Sequence, residues 1–345
     1  MSSAPKRIVY VPHSSTDVYW NFGLESYFVE NPLPNAAVVL FWRTTPTLML
    51  GKYQNLLSEV NLEVAEKEGV QLVRRKSGGG TIFTDLGGWQ FSFIQAQDDE
   101  SIDFAGFIKP VLAVLHELGI PAEFSGRNDI LVHGKKFSGN AQYRTKGMVV
   151  HHGSILFDSD VETMLRCTTV SEIKLISKGI ESIRERVINL RDCLPGGRES
   201  MDSSGFGEYM GKHLPRQYAQ SGVAGEVEVY ALSEAEKEQI QELGERYYKA
   251  KEELWGRNPA FTLEEEKRFA GGSVRLLLKV DKGIIEDAQV QGDFFANLED
   301  DEFAEILKGV PYQREAVHAA LEKAGIEEKI YRISAVDLAS LIRIH

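Results

Sequence analysis

The feature that most constrains this chain is a triple glycine that follows three adjacent cations. The glycine segment (Arg74–Asp85) begins with Arg-Arg-Lys-Ser and continues with Gly78-Gly79-Gly80. Val70–Val73 before it is apolar, and aromatic and polar residues alternate in Trp89–Phe93 after it, so we expect a strand on each side. Consecutive glycines admit a ligand close to the backbone. Two interpretations are open: an anion site of bare N–H groups beside cations, or a flexible glycine hairpin with solvated cations.

Composition limits the class of protein. A chain of 345 residues with 43% hydrophobic residues predicts two folded domains with large cores. The net charge of −12 argues against nucleic acid as a partner. Two cysteines, Cys167 and Cys193, predict no disulfide framework and fit a reducing compartment, where we interpret both as incidental thiols. The absence of a signal-peptide pattern and of a long apolar run predicts a cytoplasmic protein that does not bind membranes.

Hydrophobic periodicity predicts an N-terminal part with mixed helices and strands. Asp17–Glu30 is expected to be a helix capped by Ser15 or Thr16. Ala37–Trp42 is typical of a strand, and Phe104–Leu118 has the spacing of an amphipathic helix in which Pro110 introduces a kink or marks the first turn. Further on, the composition of Pro195–Gly207, rich in Gly and Ser, predicts an exposed loop.

The C-terminal part is predicted to be a smaller unit. Ser233 opens a capping box for a helix whose buried face includes Ile240, Leu243, Tyr247 and Leu254. Beyond it we expect a hairpin and three short helices, which are Val274–Val280 with Ile284–Val290, then Glu302–Lys308, Arg314–Lys323 and Ala335–Ile342. The expected boundaries are a first domain over 1–252, a linker over 253–259 and a second domain over 260–345.

A second group of polar residues lies in Gly126–Ala141, which reads as a strand, a His133-Gly134 turn and a return strand. Asn128-Asp129 stands at the mouth of the first strand, where a carboxylate could hold Mg²⁺. Lys136 precedes the small residues Ser138-Gly139; it is either part of an anion site or a solvated surface charge. His151 and His152 could bind a metal, but neighbouring strand residues point to opposite faces, which disfavours a shared ion.

Common nucleotide motifs are absent from the sequence. The triple glycine lacks the Gly-Lys-Ser/Thr of a Walker A loop, and no dinucleotide fingerprint, kinase catalytic loop or Gly-x-Ser-x-Gly elbow occurs. Residue spacing alone therefore indicates a phosphate-handling site of another kind.

Five segments, in order, resemble the lipoate–protein ligase family. They are Arg74–Phe83, Gly126–Ile130, Gly134–Ala141, His151–Leu156 and Ser177–Leu190. Trp255–Phe261 is similar to the family's junction with its accessory domain. The resemblance implies an α/β (α+β) fold: a class II aminoacyl-tRNA synthetase/biotin-ligase-like catalytic domain with a mixed sheet, and a small α+β C-terminal domain.

The resemblance also implies an activity. Lipoate would attack the α-phosphorus of Mg²⁺-bound ATP to give lipoyl-AMP, and a lysine of a carrier protein would then take the lipoyl group and release AMP. The carrier would be a lipoyl domain of a 2-oxoacid dehydrogenase E2 or the glycine-cleavage H protein. ATP, Mg²⁺ and lipoate enter as substrates rather than as bound cofactors, and the enzyme would be a monomer.

The resemblance assigns roles to individual residues. Lys136 matches the essential lysine, which would stabilise charge in both transition states. Arg75 matches a nucleotide-contacting arginine suited to bidentate phosphate contact. Asp129 would hold Mg²⁺, and Ser177–Leu190 would close over the adenylate and exclude water. The remaining adenylate-binding residues implied are Ser77, Gly78, Gly79, Gly80, Thr81, Ile82, Phe83, Asn128 and His152.

The chain departs from the family at the end of the glycine segment. The usual His-Asp-x-Gly-Asn is Thr84-Asp85-Leu86-Gly87-Gly88, which reduces nucleotide binding or accompanies a changed specificity. Two alternatives to the ligase therefore stay open. One is an ATP-independent octanoyl or lipoyl transferase of the same fold with a cysteine nucleophile, and the other is a non-catalytic paralogue that binds lipoyl carriers.

Overall fold

A computed structural model describes residues 5–97, 101–168, 185–222, 226–250, 253–254, 263–299 and 301–342. Most of the linker predicted over 253–259 and the part of the predicted closing loop before residue 185 lie outside these ranges. The strands are β1 (Arg7–Tyr10), β2 (Ala36–Trp42), β3 (Thr47–Leu50), β4 (Gln71–Arg74), β5 (Ile82–Thr84), β6 (Gly88–Ala96), β7 (Ala122–Phe124), β8 (Asp129–Val132), β9 (Lys135–Thr145), β10 (Met148–Leu156), β11 (Val227–Val229), β12 (Leu263–Phe269), β13 (Gly272–Asp281) and β14 (Ile284–Gly292).

The helices surround these strands. They are α1 (Val18–Glu30), α2 (Leu56–Glu59), α3 (Leu62–Lys67), α4 (Phe104–Glu117), α5 (Val161–Cys167), a 3-10 turn (Leu190–Cys193), α6 (Ser203–Gln220), α7 (Glu234–Gly244) with a π-helical extension (Glu245–Lys249), α8 (Glu302–Leu307), α9 (Arg314–Lys323), α10 (Ile326–Lys329) and α11 (Ala335–Ala339).

A mixed eight-stranded sheet forms the centre of the N-terminal part, in the order β11-β1-β2-β6-β10-β9-β8-β7. β1 runs parallel to β2 and β11, whereas β6, β10, β9 and β8 pair antiparallel with their neighbours. The predicted mixed sheet is confirmed.

Two cores lie on the opposite faces of this sheet. Alternate residues of β2, such as Leu40 and Trp42, pack under α1. The intervening residues, such as Phe41, pack with Phe91 and Phe93 against α4 and α6. Period-two alternation in each strand therefore separates the two faces.

The glycine segment belongs to a second, three-stranded sheet. β3 pairs parallel with β4 and antiparallel with β5. β4 leads into the triple glycine and β5 leads out of it, so the segment must turn back around the end of β3. Gly79 takes a φ of 89°, a conformation that favours glycine.

The C-terminal α+β domain is built from the antiparallel sheet β12-β13-β14 and helices α8 to α11. The predicted hairpin is confirmed, with Lys282 (φ 49°) and Gly283 (φ 78°) in its turn. The sequence reasoning missed β12, whose Glu-rich sequence lacks the apolar alternation of a half-buried strand. Ser334 caps α11 with a capping box.

Several local predictions need correction. Asp17, not Ser15 or Thr16, caps α1, since its side chain accepts from the N–H of Tyr19. The loop predicted over Pro195–Gly207 ends early, because Asp202 caps a helix that begins at Ser203. Packing of Phe206, Met210 and Leu214 stabilises this helix despite its three glycines. Leu254 lies beyond the helix that ends at Lys249. α4 continues through Pro110 without a break.

Candidate active site

A pocket of about 100 Å³ opens on the α1 face of the large sheet. It is lined by strand residues, by the glycine segment and by one residue of the C-terminal domain. The lining residues are Phe22, Trp42, Met49, Arg75, Gly79, Gly80, Thr81, Ile82, Gln90, Asn128, Lys136, Gly139, Asn140, Ala141, His152, Gly153, Ser154 and Phe295. One end is mainly apolar, with Phe22, Trp42, Met49 and Ile82. Asn128, Asn140 and Ser154 lie toward Lys136.

Arg75 shapes the glycine segment from inside. Its side chain is buried, and its Nε donates to Ser77 Oγ over 3.0 Å. Its Nη1 donates to the Met49 carbonyl over 2.7 Å, and its Nη2 donates to the Gly78 and Gly80 carbonyls over 2.8 and 2.7 Å. Burial lowers the pKa of Arg75 to about 9, so it stays charged at neutral pH. To make the predicted bidentate phosphate contact, Arg75 would have to give up hydrogen bonds to its own backbone carbonyls.

The other two cations of the segment point away from the pocket. Arg74 donates to the carbonyls of Gly51, Gln54 and Leu254. Lys76 Nζ lies 3.2 Å from Ser26 Oγ and 4.3 Å from the centre of the Tyr247 ring. Both line a separate cleft of about 900 Å³ between the N- and C-terminal parts.

A buried relay connects Arg75 to the large sheet. Ser77 Oγ lies 2.7 Å from His152 Nε2, and His152 Nδ1 lies 3.1 Å from Glu25 Oε1. Because Ser77 accepts from Arg75, its hydroxyl donates to Nε2, and His152 donates its Nδ1–H to Glu25. Ser92 Oγ donates to the same carboxylate oxygen over 2.6 Å. Sequence reasoning missed Glu25, although a charged residue in the apolar stripe of α1 was a visible signal.

Lys136 is held at the edge of the pocket by both its backbone and its side chain. Its backbone N–H donates to the Arg186 carbonyl over 2.7 Å, and its carbonyl accepts from Ile188 over 3.0 Å. Its Nζ lies 2.7 Å from Asp129 Oδ1, and its side chain is 40% exposed. A Cβ on Gly139 would lie 3.2 Å from this Nζ, so glycine keeps the space beside the ammonium open.

Asp129 is therefore a partner of Lys136 in this structure and does not line the pocket. Within the described ranges, no group of three or more His, Cys, Asp or Glu side chains could hold a metal ion. Magnesium at Asp129 stays a prediction, and a single carboxylate is typical of a Mg²⁺ that arrives with phosphates and keeps most of its waters.

The two adjacent histidines face opposite ways, as predicted. His152 joins the relay on the pocket side, whereas His151 packs in an aromatic cluster with its ring centre 4.8 Å from that of Phe107. Neither ring nitrogen of His151 has a hydrogen-bond partner among the described residues. Burial holds the pKa of His151 well below its ordinary value.

The C-terminal domain completes the pocket. The Phe294 carbonyl accepts from the N–H of Gly79 over 2.7 Å, and the Phe295 side chain forms part of the lining. Arg127 Nη2 donates to the carbonyls of Gly271 and Asp293 over 2.6 and 3.0 Å and so ties the two parts together. No local signal in the sequence could have placed Phe295 beside Gly79.

The structure brings most of the predicted site residues to one pocket: Arg75, Gly79, Gly80, Thr81, Ile82, Asn128, Lys136 and His152. Four others lie outside its lining: Asp129, described above, and three residues of the glycine segment. Ser77 is buried in the relay, and Gly78 lies against the Phe294 carbonyl. Phe83 packs in a buried apolar cluster with Leu48 and Leu50.

The two departures at the end of the glycine segment also lie outside the lining. Thr84 Oγ1 is 2.5 Å from Gln90 Nε2, and Gln90 does line the pocket. Gly88 lies near Ser159, whose Oγ would be 2.8 Å from a Cβ at that position. Sequence reasoning missed Trp42, Gln90, Asn140 and Ser154, because alternating strand residues look the same whether they line a pocket or a core.

Comparison with known proteins gives consistent matches over most of the chain. The family model "Lipoyl protein ligase A/B catalytic domain" matches residues 17–214, and "Bacterial lipoate protein ligase C-terminus" matches residues 258–342. The chain is 38% identical over 323 residues to lipoate-protein ligase LplJ of Bacillus subtilis, which covers 93% of this chain and 96% of that protein.

Solved structures share the fold. LipL1 of P. falciparum, in complex with lipoate, superposes with a TM-score of 0.73 at 24% identity and covers 92% of this chain and 94% of its own. Lipoate-protein ligase A bound with ATP superposes with a TM-score of 0.61 at 22% identity, and the match covers 73% of this chain and 99% of that one. A bipartite lipoate protein ligase of Thermoplasma acidophilum, studied with its E2 lipoyl domain, superposes with a TM-score of 0.61 at 23% identity. The match covers 75% of this chain and 100% of that one.

Proposed function

This chain belongs to the lipoate–protein ligase family, and we infer that it is an ATP-dependent ligase that activates lipoate and transfers it to a protein lysine. The observation that carries this inference is the Lys136 ammonium at the polar end of a pocket whose other end is apolar. An acyl acid with an apolar tail and a charged head requires both ends.

The first step joins lipoate to AMP. A carboxylate oxygen attacks the α-phosphorus, and the bond to pyrophosphate breaks as a mixed anhydride forms. Negative charge grows on the phosphoryl oxygens, and the Lys136 ammonium lies where it can stabilise that charge. Gly79 and Gly80 allow the nucleotide to approach the backbone closely, in a segment whose shape Arg75 fixes.

The second step transfers the acyl group. The amine of the carrier lysine attacks the lipoyl carbonyl, the bond to AMP breaks, and the amine passes its proton to solvent. Charge develops on the carbonyl oxygen during the attack and on the phosphate as it departs, and we propose that Lys136 stabilises both.

Mg²⁺ would enter with ATP, offset the phosphate charge and be held in part by Asp129, with Asn128 beside it. The open pocket of about 100 Å³ is smaller than the roughly 300–1,000 Å³ of typical small-molecule sites. Phe295 forms one wall of this pocket.

The acceptor is a lipoyl-carrying domain, and we propose the E2 lipoyl domain or the glycine-cleavage H protein. In support, one structure of the same fold is a ligase studied with its E2 lipoyl domain. We propose that the ligase acts as a monomer in the cytoplasm. Among the described residues, no helix combines the length and apolar character needed to cross a membrane.

The two alternatives find less support in the pocket. The transferase alternative needs a cysteine nucleophile, but neither Cys167 nor Cys193 is among the lining residues, and burial raises the pKa of both thiols. The non-catalytic alternative does not explain the polar environment kept around Lys136.

Lipoate-dependent exchange of labelled pyrophosphate into ATP tests the first step, and mass spectrometry of carrier panels incubated with ATP and lipoate tests the second. We expect exchange with lipoate and a lipoyl mass increment on one carrier class. No exchange with lipoate, octanoate or biotin would contradict the ligase, and acyl transfer from a carrier thioester without ATP would support the transferase.

A further inference from the structure

Gln90 lines the pocket, but the two steps above give it no role. It is 3% exposed in the middle of the large sheet, on the same face as Trp42. Its Nε2 lies 2.5 Å from Thr84 Oγ1, whereas its Oε1 has no hydrogen-bond partner among the described residues. A buried amide with one unpartnered end is costly to fold, which indicates that this end meets a ligand.

The strand register gives the depth of Gln90 in the pocket. It lies directly opposite Trp42 on one side and Ser154 on the other. Ser154 Oγ is 3.4 Å from the N–H of Gly139, the residue that adjoins the Lys136 ammonium. Gln90 is thus two strands away from the lysine, about 10 Å at the usual strand spacing. An acyl chain whose carbonyl lies at Lys136 reaches Gln90 with its distal end.

The surroundings of Gln90 at that depth are apolar. Trp42 is its cross-strand neighbour, and Phe22, Met49 and Ile82 line the same end of the pocket. A saturated hydrocarbon tail would cover the amide and leave its free end unpartnered. A dithiolane ring places polarizable sulfur there, which accepts a weak hydrogen bond.

Thr84 makes this contact possible. Its hydroxyl can donate or accept, so Gln90 can turn its Oε1 to Thr84 and present Nε2–H to a sulfur. Thr84 is 1% exposed and outside the pocket lining, and therefore acts on a ligand only through Gln90. This gives a role to one of the two departures from the family pattern.

We propose that Gln90, held in place by Thr84, is a specificity-determining residue that favours lipoate over octanoate. The proposal rests on the proposed function for the identity of the acyl substrate.

The test measures equilibrium binding rather than turnover. Calorimetry gives the dissociation constants of lipoate and octanoate for the parent protein, Gln90→Leu, Thr84→Val and Thr84→Ser, without ATP. In Gln90→Leu we expect the preference for lipoate to fall about tenfold, equivalent to about 1.4 kcal/mol, since the leucine tolerates a hydrocarbon tail. Thr84→Val should shift the preference in the same direction but less, and Thr84→Ser, which keeps the hydroxyl, should restore the parent ratio.

An unchanged ratio of the two dissociation constants in both Gln90→Leu and Thr84→Val would overturn the proposal. Thr84→Val does not alter the pocket lining, so it keeps the test valid if Gln90→Leu fails to fold. A parent protein that binds both acids but catalyses no exchange would contradict the ligase while leaving the selectivity measurable. A parent protein that binds neither acid would overturn both.

Discussion

Two groups of cations stand out in this chain, and the structure uses them in opposite ways. The cations of the glycine segment donate mainly to their own protein: Arg74 and Arg75 to backbone carbonyls, and Lys76 to Ser26 Oγ. Among the residues that the structure describes, Lys136 pairs with Asp129, and its half-exposed side chain lines the pocket. The denser cluster therefore builds the site, and the single lysine is available for chemistry.

The difference follows from burial. A guanidinium that is fully enclosed must pair each donor within the protein, because unpartnered buried charge is far more costly than the bonds it would make to a ligand. An ammonium at the pocket edge keeps part of its hydration and can exchange it for substrate oxygens. The following variants test this contrast between structural and chemical cations.

Lys136→Ala should have the largest effect, because it removes the cation from both transition states. We expect lipoate-dependent pyrophosphate exchange to fall at least about 100-fold, the usual loss for one stabilising donor. The melting temperature should hardly change. The matched control is Lys135→Ala, one residue earlier and exposed, which should keep parent exchange rates. Equal losses in both variants would refute the special role of Lys136.

Arg75→Lys should reduce stability more than the other three variants of this series. Lysine keeps the charge but cannot reach Ser77, Met49, Gly78 and Gly80 together, and each unpaired buried acceptor costs about 1–3 kcal/mol. Urea unfolding should show a loss of about 3 kcal/mol or more. Arg191→Lys, at an exposed pair with Asp158, should cost less than about 1 kcal/mol. A stable Arg75→Lys protein that fails only to bind ATP would instead make Arg75 a nucleotide ligand.

His151→Phe tests a buried group that, unlike Arg75, has no hydrogen-bond partner in the described part of the chain. Burial lowers its pKa in the folded protein, so below about pH 6.5 the unfolded chain binds the extra proton and stability falls as the pH falls. The slope for one such group reaches about 1.4 kcal/mol per pH unit. Between pH 7.5 and 5.5 the variant should therefore lose about 1 kcal/mol less stability than the parent. His13, with a pKa lowered to about 4, titrates in both proteins. Identical slopes would show that His151 finds a partner.

Lys76→Met should have the smallest effect. Its ammonium lies 4.3 Å from the Tyr247 ring centre, and the loss of such a contact costs about 0.5–1 kcal/mol. Exchange activity should match the parent because Lys76 does not line the pocket. A large loss of exchange with unchanged stability would mean that Lys76 acts on substrate.

Local patterns in the sequence predicted the elements that local forces determine. The capping box at Ser233 and the turn at Lys282-Gly283 satisfy backbone groups within a few residues, and both were found where expected. α6 was missed because Gly205, Gly207 and Pro215 are poor helix formers, and packing against the large sheet overrides that preference. The short strands β7 and β11 carry no periodic signal and form only through their partners.

The site was predictable in its polar part and hidden in its apolar part. Lys136 and the glycine segment carry motifs, so resemblance to a family could locate them. Trp42 and Gln90 belong to ordinary alternating strands, and their shared face becomes a pocket only because α1 and the glycine segment leave space above it. Phe295 reaches the site from a domain more than 200 residues away in sequence from Gly79, through contacts that no local pattern encodes.

The hydrogen bond from Gly79 to the Phe294 carbonyl also has a consequence for biosynthesis. The ribosome makes the glycine segment more than 200 residues before Phe295. A truncated product that stops before residue 294 would carry every strand of the large sheet and Lys136, but with one wall of the pocket missing. A segment that is translated late therefore closes the pocket that the glycine segment begins.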